Sequence, residues 1–238
     1  MHATGVIQNK KSIVDTKIYY VKFSFTITYI LLLTTATITI IEAIRTQNPA
    51  IRHVLNLETC ISVVAGYFYS AFMLQIDESE KKGEVYDWSK ISQTRYVDWS
   101  ITTPMMLLVL CIVLGNNINK PVTIGIFMVI VLLNFLMLFL GYLGEIHKID
   151  RWTASFLGFV PFFAIFYLIF SRFVLPKYRF DNYIIFSIYV SIWSMYGVVY
   201  LLEEEGKNIA MNILDLTSKC GVGLGLWAYY VRIFSTTV

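Results

Sequence analysis

The chain has 238 residues, of which 57% are hydrophobic and only 15% charged, with a formal net charge of +3 and a mean hydropathy of +0.63. That balance excludes an ordinary soluble domain and describes an integral membrane protein. The basic residues form no stripe and there is no nucleotide-binding glycine loop, so nucleic acid is not an expected partner.

In chain order, the first sixteen residues are polar without a long apolar core, so no cleavable signal peptide is expected there. The first apolar span runs from Ile18 to Ala43 and is rich in isoleucine and threonine, yet its length fits a membrane helix and not a strand. Further spans are predicted over Asn56 to Ile76, Arg95 to Leu114, Pro121 to Leu143, Trp152 to Phe173, Asn182 to Leu202 and Ile209 to Phe234. The expected fold class is therefore an all-α membrane protein, one seven-transmembrane-helix bundle over residues 1–238. Its short connections make successive helices antiparallel neighbours. Cys60, Cys111 and Cys220 lie in apolar runs without histidine or cysteine at ligand spacing, so they read as packing residues and no metal site is expected.

Basic residues fall on both sides. Arg45, Arg52, Lys120, Arg172, Lys177, Arg179 and Arg232 lie on one, and Lys81, Lys82, Lys90, Lys148, Arg151 and Lys207 on the other. The first group places the N-terminus outside and the C-terminus in the cytoplasm.

Two charged constellations interrupt the apolar runs. In the last span Asp215 and Lys219 are four apart and share a helix face, where charge is tolerated only beside a partner. The pair reads either as structural glue between helices or as chemistry, since a desolvated lysine tends toward the neutral amine that condenses with an aldehyde. In the third span Arg95, Asp98 and Thr102 stack on one stripe as cation, carboxylate and hydroxyl. Here too the alternative is interhelical glue, with Thr102 or Thr103 bonding back to its own helix, and Pro104 is a candidate kink. Trp193, Tyr196 and Tyr200 share a face that would wall a long flat apolar ligand, or simply form core, and Trp99 and Trp227 add further aromatic surface.

Arg95-Tyr96-Val97-Asp98-Trp99-Ser100-Ile101-Thr102-Thr103-Pro104 resembles the third-helix signature of the microbial rhodopsins, and Asp215-Leu216-Thr217-Ser218-Lys219 resembles their seventh-helix retinal attachment site. Phe139-Leu140-Gly141-Tyr142-Leu143-Gly144-Glu145, with Trp152 and Gly158, is similar to the proteorhodopsin branch, and Glu58 with Arg52 six residues earlier resembles the rhodopsins of giant viruses. The resemblance implies all-trans retinal on Lys219 as a protonated Schiff base, Asp98 and Asp215 as counter-ions, and Asp98 as primary proton acceptor. It implies that Arg95 keeps Asp98 ionised and then swings outward, that Trp99, Thr103, Trp193, Tyr196 and Tyr200 contact the chromophore, and that Met106 sits near its ring, favouring green absorption. It further implies a homo-oligomer, with pentamers frequent in this branch.

Several positions depart from the family pattern. Val109 stands where a cytoplasmic proton donor is usual, Gly66-Tyr67-Phe68-Tyr69-Ser70 supplies no histidine partner for the acceptor, and Gly197 replaces a proline. Glu58 is the expected replacement donor, because loss of hydration inside the membrane would keep it protonated. The alternative is an ionised headgroup-level glutamate paired with Arg52 or His53. Glu42 is a second candidate donor, Asn134 an expected partner of Thr103, and Glu203, Glu204 and Glu205 either receive a released proton or are merely solvated. The leading expectation is a light-driven outward proton pump, a transporter and not an enzyme. A light-gated cation channel, motivated by Val109 and the acidic outer loops, is the alternative, and a photosensor is less favoured because the tail after Phe234 carries no transducer domain.

Overall fold

A computed structural model describes residues 2–82, 84 and 86–231, with side chains described from Ile18 to Tyr230 within that range. The helices are α1 (His2–Arg45), α2 (Pro49–Lys82), α3 (Trp88–Asn117), α4 (Ile124–Glu145), α5 (Arg151–Ile169), α6 (Phe180–Val199), α7 (Glu204–Asp215) and α8 (Val222–Val231). The α5 rod continues through a π-helical turn, Phe170–Val174, and α7 joins α8 through another, Leu216–Gly221. Seven rods result, and the first six helices are long and apolar enough to cross a membrane. The seventh, α7 through α8, is broken by its π turn into shorter pieces.

The rods run beyond the predicted spans. Asp77, Glu78 and Glu80 lie in the last turns of α2, and α3 begins seven residues before Arg95 at Trp88. Polar residues continue a helix once its core-facing turns are fixed, which an apolar window cannot see. Caps set several ends: Asp87 accepts from the Lys90 N–H and starts α3, and Asp150 accepts from Trp152 and Thr153 and starts α5. The fourth span starts at Ile124 and not Pro121, because Thr123 is its extended cap residue, and the sixth ends at Val199, short of Leu202. The predicted end of the last span at Phe234, and Arg232 with it, lie outside the described residues.

The threonine-rich α1 stays helical by internal bonding. Thr26, Thr28, Thr34, Thr35, Thr37 and Thr39 each donate to the carbonyl four residues earlier, so none of these six hydroxyls is left bare in an apolar setting. Large side chains on the outer faces, such as Leu132, Phe156, Phe163 and Tyr167, are exposed, as a lipid-facing shell requires. Cys60 belongs to that shell and is not a packing residue. Cys111 and Cys220 are buried, and all three thiols are free.

Pro104 and Pro161 are accommodated inside continuous helices. At the end of the bundle where α3 and α5 finish, Asn182 of α6 donates to the carbonyls of Leu114 and Phe173, both at 3.0 Å, and accepts from Asn117 at 2.8 Å. One fully buried amide thus ties α6 to carbonyls near the C-terminal ends of α3 and the α5 rod, where helix carbonyls generally lack an intrahelical partner. Asn182→Leu leaves both carbonyls unsatisfied and should destabilise the bundle by about 2–4 kcal/mol, read as a lower midpoint for thermal loss of helical circular dichroism in detergent; an unchanged midpoint would count against the clasp.

Candidate functional site

Four ionisable side chains meet in the middle of the bundle. Lys219 is carried into it by the π turn of the seventh rod, a departure from α geometry that often marks functional positions. Its Nζ donates to Asp98 Oδ2 at 2.7 Å and lies 3.6 Å from Asp215 Oδ2. The spacing that singled out Asp215 therefore found a real neighbour, but the closer carboxylate comes from α3.

The two carboxylates are served differently. Asp215 Oδ1 accepts from the Tyr196 hydroxyl at 2.7 Å, and its Oδ2 lies 2.9 Å from the Tyr69 hydroxyl and 3.3 Å from Arg95 Nη1. Asp98 has Lys219 on one oxygen, while its Oδ1 has no hydrogen-bond partner among the described residues. Arg95 is bonded on the Asp215 side, so the expected Arg95–Asp98 pairing is replaced: Asn208, Asn212 and Tyr69 supply the acceptors that draw the guanidinium toward α7. Thr102 bonds back to the Asp98 carbonyl at 2.9 Å. Thr103 bonds back to Trp99 at 2.6 Å and accepts from Asn134 at 2.9 Å, the α3–α4 tie that the sequence anticipated.

Beside Lys219 lies a cavity with about 810 Å³ of space free of protein atoms, counting the part open to the surroundings. Trp99, Thr103, Met106, Trp193, Tyr196 and Tyr200 all line it, with Lys219, Asp215 and Ser218 at its polar end. An aromatic, largely apolar wall with one amine at one end suits a long apolar aldehyde, and that donor set fits retinal. Gly197 belongs to the wall, since a Cβ there would meet the Phe159 ring at 2.5 Å. That close approach is what a proline-free α6 permits. Trp227 and Trp152 do not line the cavity; Trp152 is exposed at the start of α5.

Glu58 is buried, 2% exposed, and has no ion-pair partner among the described residues. Pairing with Arg52 or His53 is not what the structure shows: Arg52 instead donates to the Thr46 carbonyl. The Glu58 carboxyl packs against the seventh rod, where a Cβ on Gly223 would stand 2.8 Å from its Oε2. Gly223 lies one turn beyond Lys219, on the side away from Arg95. Glu42 has Arg45 as a partner at 3.0 Å near the end of α1 and lies far less deeply.

A second buried lysine, Lys207, is held elsewhere. It donates to Glu145 at 2.8 Å and to Glu204 Oε1 at 3.1 Å, and Arg151 pairs with both carboxylates. Glu204 is thus clamped in an ion cluster and not free in solvent. Sequence reasoning missed this cluster together with Tyr69, Asn208 and Asn212. Asn208, Asn212, Asp215 and Lys219 recur at spacings of four, three and four, a polar stripe that a period search would have found.

The family model described as "Bacteriorhodopsin-like protein" matches residues 20–233. Archaerhodopsin-2 of Halobacterium sp. (strain aus-2) is 27% identical over 179 residues, covering 68% of this chain and 66% of that protein. The green-light absorbing proteorhodopsin of Gamma-proteobacterium EBAC31A08 is 26% identical over 157 residues, covering 58% and 61%. The alignments thus span about two thirds or less of those relatives' own length. Among solved structures, that of viral rhodopsin OLPVRII is 43% identical, with a TM-score of 0.82 over 90% of this chain and 99% of that one. The blue light-absorbing proteorhodopsin from Med12, at 22% identity and a TM-score of 0.70 over 92% and 100%, shares the fold. A family match spanning nearly every rod, together with a solved relative of this identity, places the chain in the bacteriorhodopsin-like family of multi-pass membrane proteins, whose members bind retinal on a lysine.

Proposed function

We propose that the protein is a light-driven outward proton pump with retinal attached at Lys219, the N-terminus outside and the C-terminus in the cytoplasm. Lys219 is the buried lysine that faces the cavity, whereas Lys207 is engaged by Glu145 and Glu204 away from it. Bound there, retinal supplies light absorption and a photoisomerisation that loosens a proton at Nζ. The remaining steps belong to the chain's own side chains.

The observation that carries the reading is the inequality of the two carboxylates. Asp98 Oδ2, 2.7 Å from Nζ, is within direct transfer distance, and Asp98 has a free oxygen. Protonating Asp215 instead would weaken its bonds from Tyr196, Tyr69 and Arg95, each made to a charged acceptor. A proton leaving Nζ therefore goes to Asp98, toward the Arg95 side. Glu58, without a counter-charge and one turn away on the opposite side, is placed to hold the proton that replaces it. An acceptor outward of Nζ and a donor inward of it give the transfer a direction.

The structure offers the channel alternative little support. Leu107, Val109, Leu110, Cys111 and Val113 fill the inner half of the bundle and are fully buried. The exposed apolar faces of the rods leave room for assembly into a homo-oligomer, five copies by the family resemblance, which native mass spectrometry would count.

Lys219→Ala should give a protein that stays colourless after incubation with all-trans retinal, and visible colour would remove Lys219 from the assignment. Cells expressing the wild-type protein should acidify the medium on illumination, with the signal abolished by a protonophore. Asp98→Asn should absorb further to the red and lose transport by at least about 100-fold, while persistent pumping would refute Asp98 as acceptor. Voltage-clamped photocurrents that reverse sign with voltage would establish a channel instead. Glu58→Gln should slow recovery of the dark absorbance by about 10- to 100-fold, with azide restoring the rate, and an unchanged recovery would exclude Glu58 as donor.

A further inference from the structure

Arg95 has the most elaborate setting of any charge in the bundle. A guanidinium presents five N–H donors in a rigid plane. Its Nη2 meets Asn212 Oδ1 at 2.8 Å and Asn208 Oδ1 at 3.3 Å, and its Nη1 meets the Tyr69 hydroxyl at 3.2 Å and Asp215 Oδ2 at 3.3 Å. Four donor directions are thereby used. The rings of Phe72, Phe25 and Tyr69 close around it, with centroids 5.1, 5.6 and 5.8 Å from the guanidinium carbon. The side chain is 4% exposed.

The two asparagines cannot readily turn their oxygens away. Asn212 commits its amide N–H to Ser24 Oγ at 2.9 Å, and Asn208 commits its own to the Glu204 carbonyl, also at 2.9 Å. Flipping either amide would set an N–H donor against a cation; it would also leave the Asn208 oxygen against a carbonyl and require Ser24 to give up its bond to the Val21 carbonyl to serve Asn212. Both residues lie on the helix that carries Asp215, three and seven positions before it. The acceptors that fix Arg95 and the carboxylate it serves therefore move as one body.

We infer that Asn212, supported by Asn208, is a positioning residue that locks Arg95 onto Asp215 as a stationary cation, so that in this protein Arg95 does not swing outward when Asp98 takes up a proton. An outward swing would leave the Asn208 oxygen without its cation, reduce Asn212 Oδ1 to the Tyr69 hydroxyl at 3.0 Å, and require the Phe25, Tyr69 and Phe72 rings to part. The lock also sustains the inequality between the carboxylates, because it keeps the positive charge on Asp215. Its structural content rests on the dark geometry, and its consequence for proton release rests on the pump reading.

The test uses the retinal-loaded, full-length protein labelled with 15N-arginine. In the dark, solid-state NMR should resolve two inequivalent Nη resonances for Arg95, assigned by their absence in Arg95→Gln. In Asn212→Leu they should merge as the group regains rotation. Light-minus-dark infrared spectra should show no shifted Arg95 guanidinium band in the wild type and a clear shift in Asn212→Leu. If Asn212→Leu does not fold, Asn208→Leu, which removes the longer bond, should narrow the splitting without abolishing it. A pH-sensitive dye outside vesicles should report the wild-type proton together with recovery of the dark absorbance, and at least tenfold earlier in Asn212→Leu.

Merged wild-type resonances, or a light-induced shift of the wild-type band, would overturn the lock. An unaltered Asn212→Leu spectrum would overturn the assignment to Asn212. A photocycle with no dye signal would refute the pump and leave the lock to be decided by the dark spectra.

Discussion

Charge buried in a low-dielectric interior has to be neutralised on the spot, and this bundle buries two cations and two carboxylates within one cluster. At an effective dielectric constant of about 20, opposite charges about 3 Å apart attract by roughly 5–6 kcal/mol, while an uncompensated buried ion costs several kcal/mol. Lys219, Arg95, Asp98 and Asp215 form a set that balances in charge, and removing any one member leaves another exposed to that cost. The rods are assembled around this requirement. The α3 helix supplies one cation and one carboxylate, the seventh rod supplies the others, and α2 and α6 contribute the tyrosines that finish the coordination.

Balance alone does not assign roles, and a symmetric quartet would move no proton in a preferred direction. The symmetry is broken by neutral groups. Tyr69, Tyr196, Asn208 and Asn212 each favour one arrangement of the charges, and all four act on the Arg95–Asp215 half. Asp98 is left with a lone partner and an open oxygen. Hydrogen bonds to an ion are stronger than those between neutral groups, so the neutral residues make the two carboxylates unequal.

The sequence carried the parts of this arrangement that local spacing encodes. Apolar runs revealed the rods, and an aspartate and a lysine inside such runs are rare enough to announce themselves. The aromatic face of α6 lines the cavity as its spacing implied, and Asn134 found Thr103. What spacing could not encode was most of the remaining partnership across helices. Arg95 and Asp98 lie three apart on one stripe and look like a pair, yet two asparagines of α7 draw the guanidinium to Asp215. Tyr69 registered only as the absence of a histidine, although its hydroxyl reaches Asp215. Lys207 looked like a loop cation, and Glu204 like a solvated acid, until the turn between α4 and α5 brought Glu145 and Arg151 against them.

The position of Glu58 follows from the same accounting, run in reverse. Among the described residues no cation accompanies it, so its burial is inexpensive only for the neutral acid, whereas the buried carboxylates of the central cluster have cations beside them. Gly223 admits it against the seventh rod by lacking a Cβ, one turn from Lys219. Under the proposed pump, a carboxyl in that setting is the reserve from which Lys219 Nζ is resupplied with a proton. With Glu58 of α2 as the proposed donor of that pump, Val109 can be apolar without interrupting the path, and α3 at that level is free to pack.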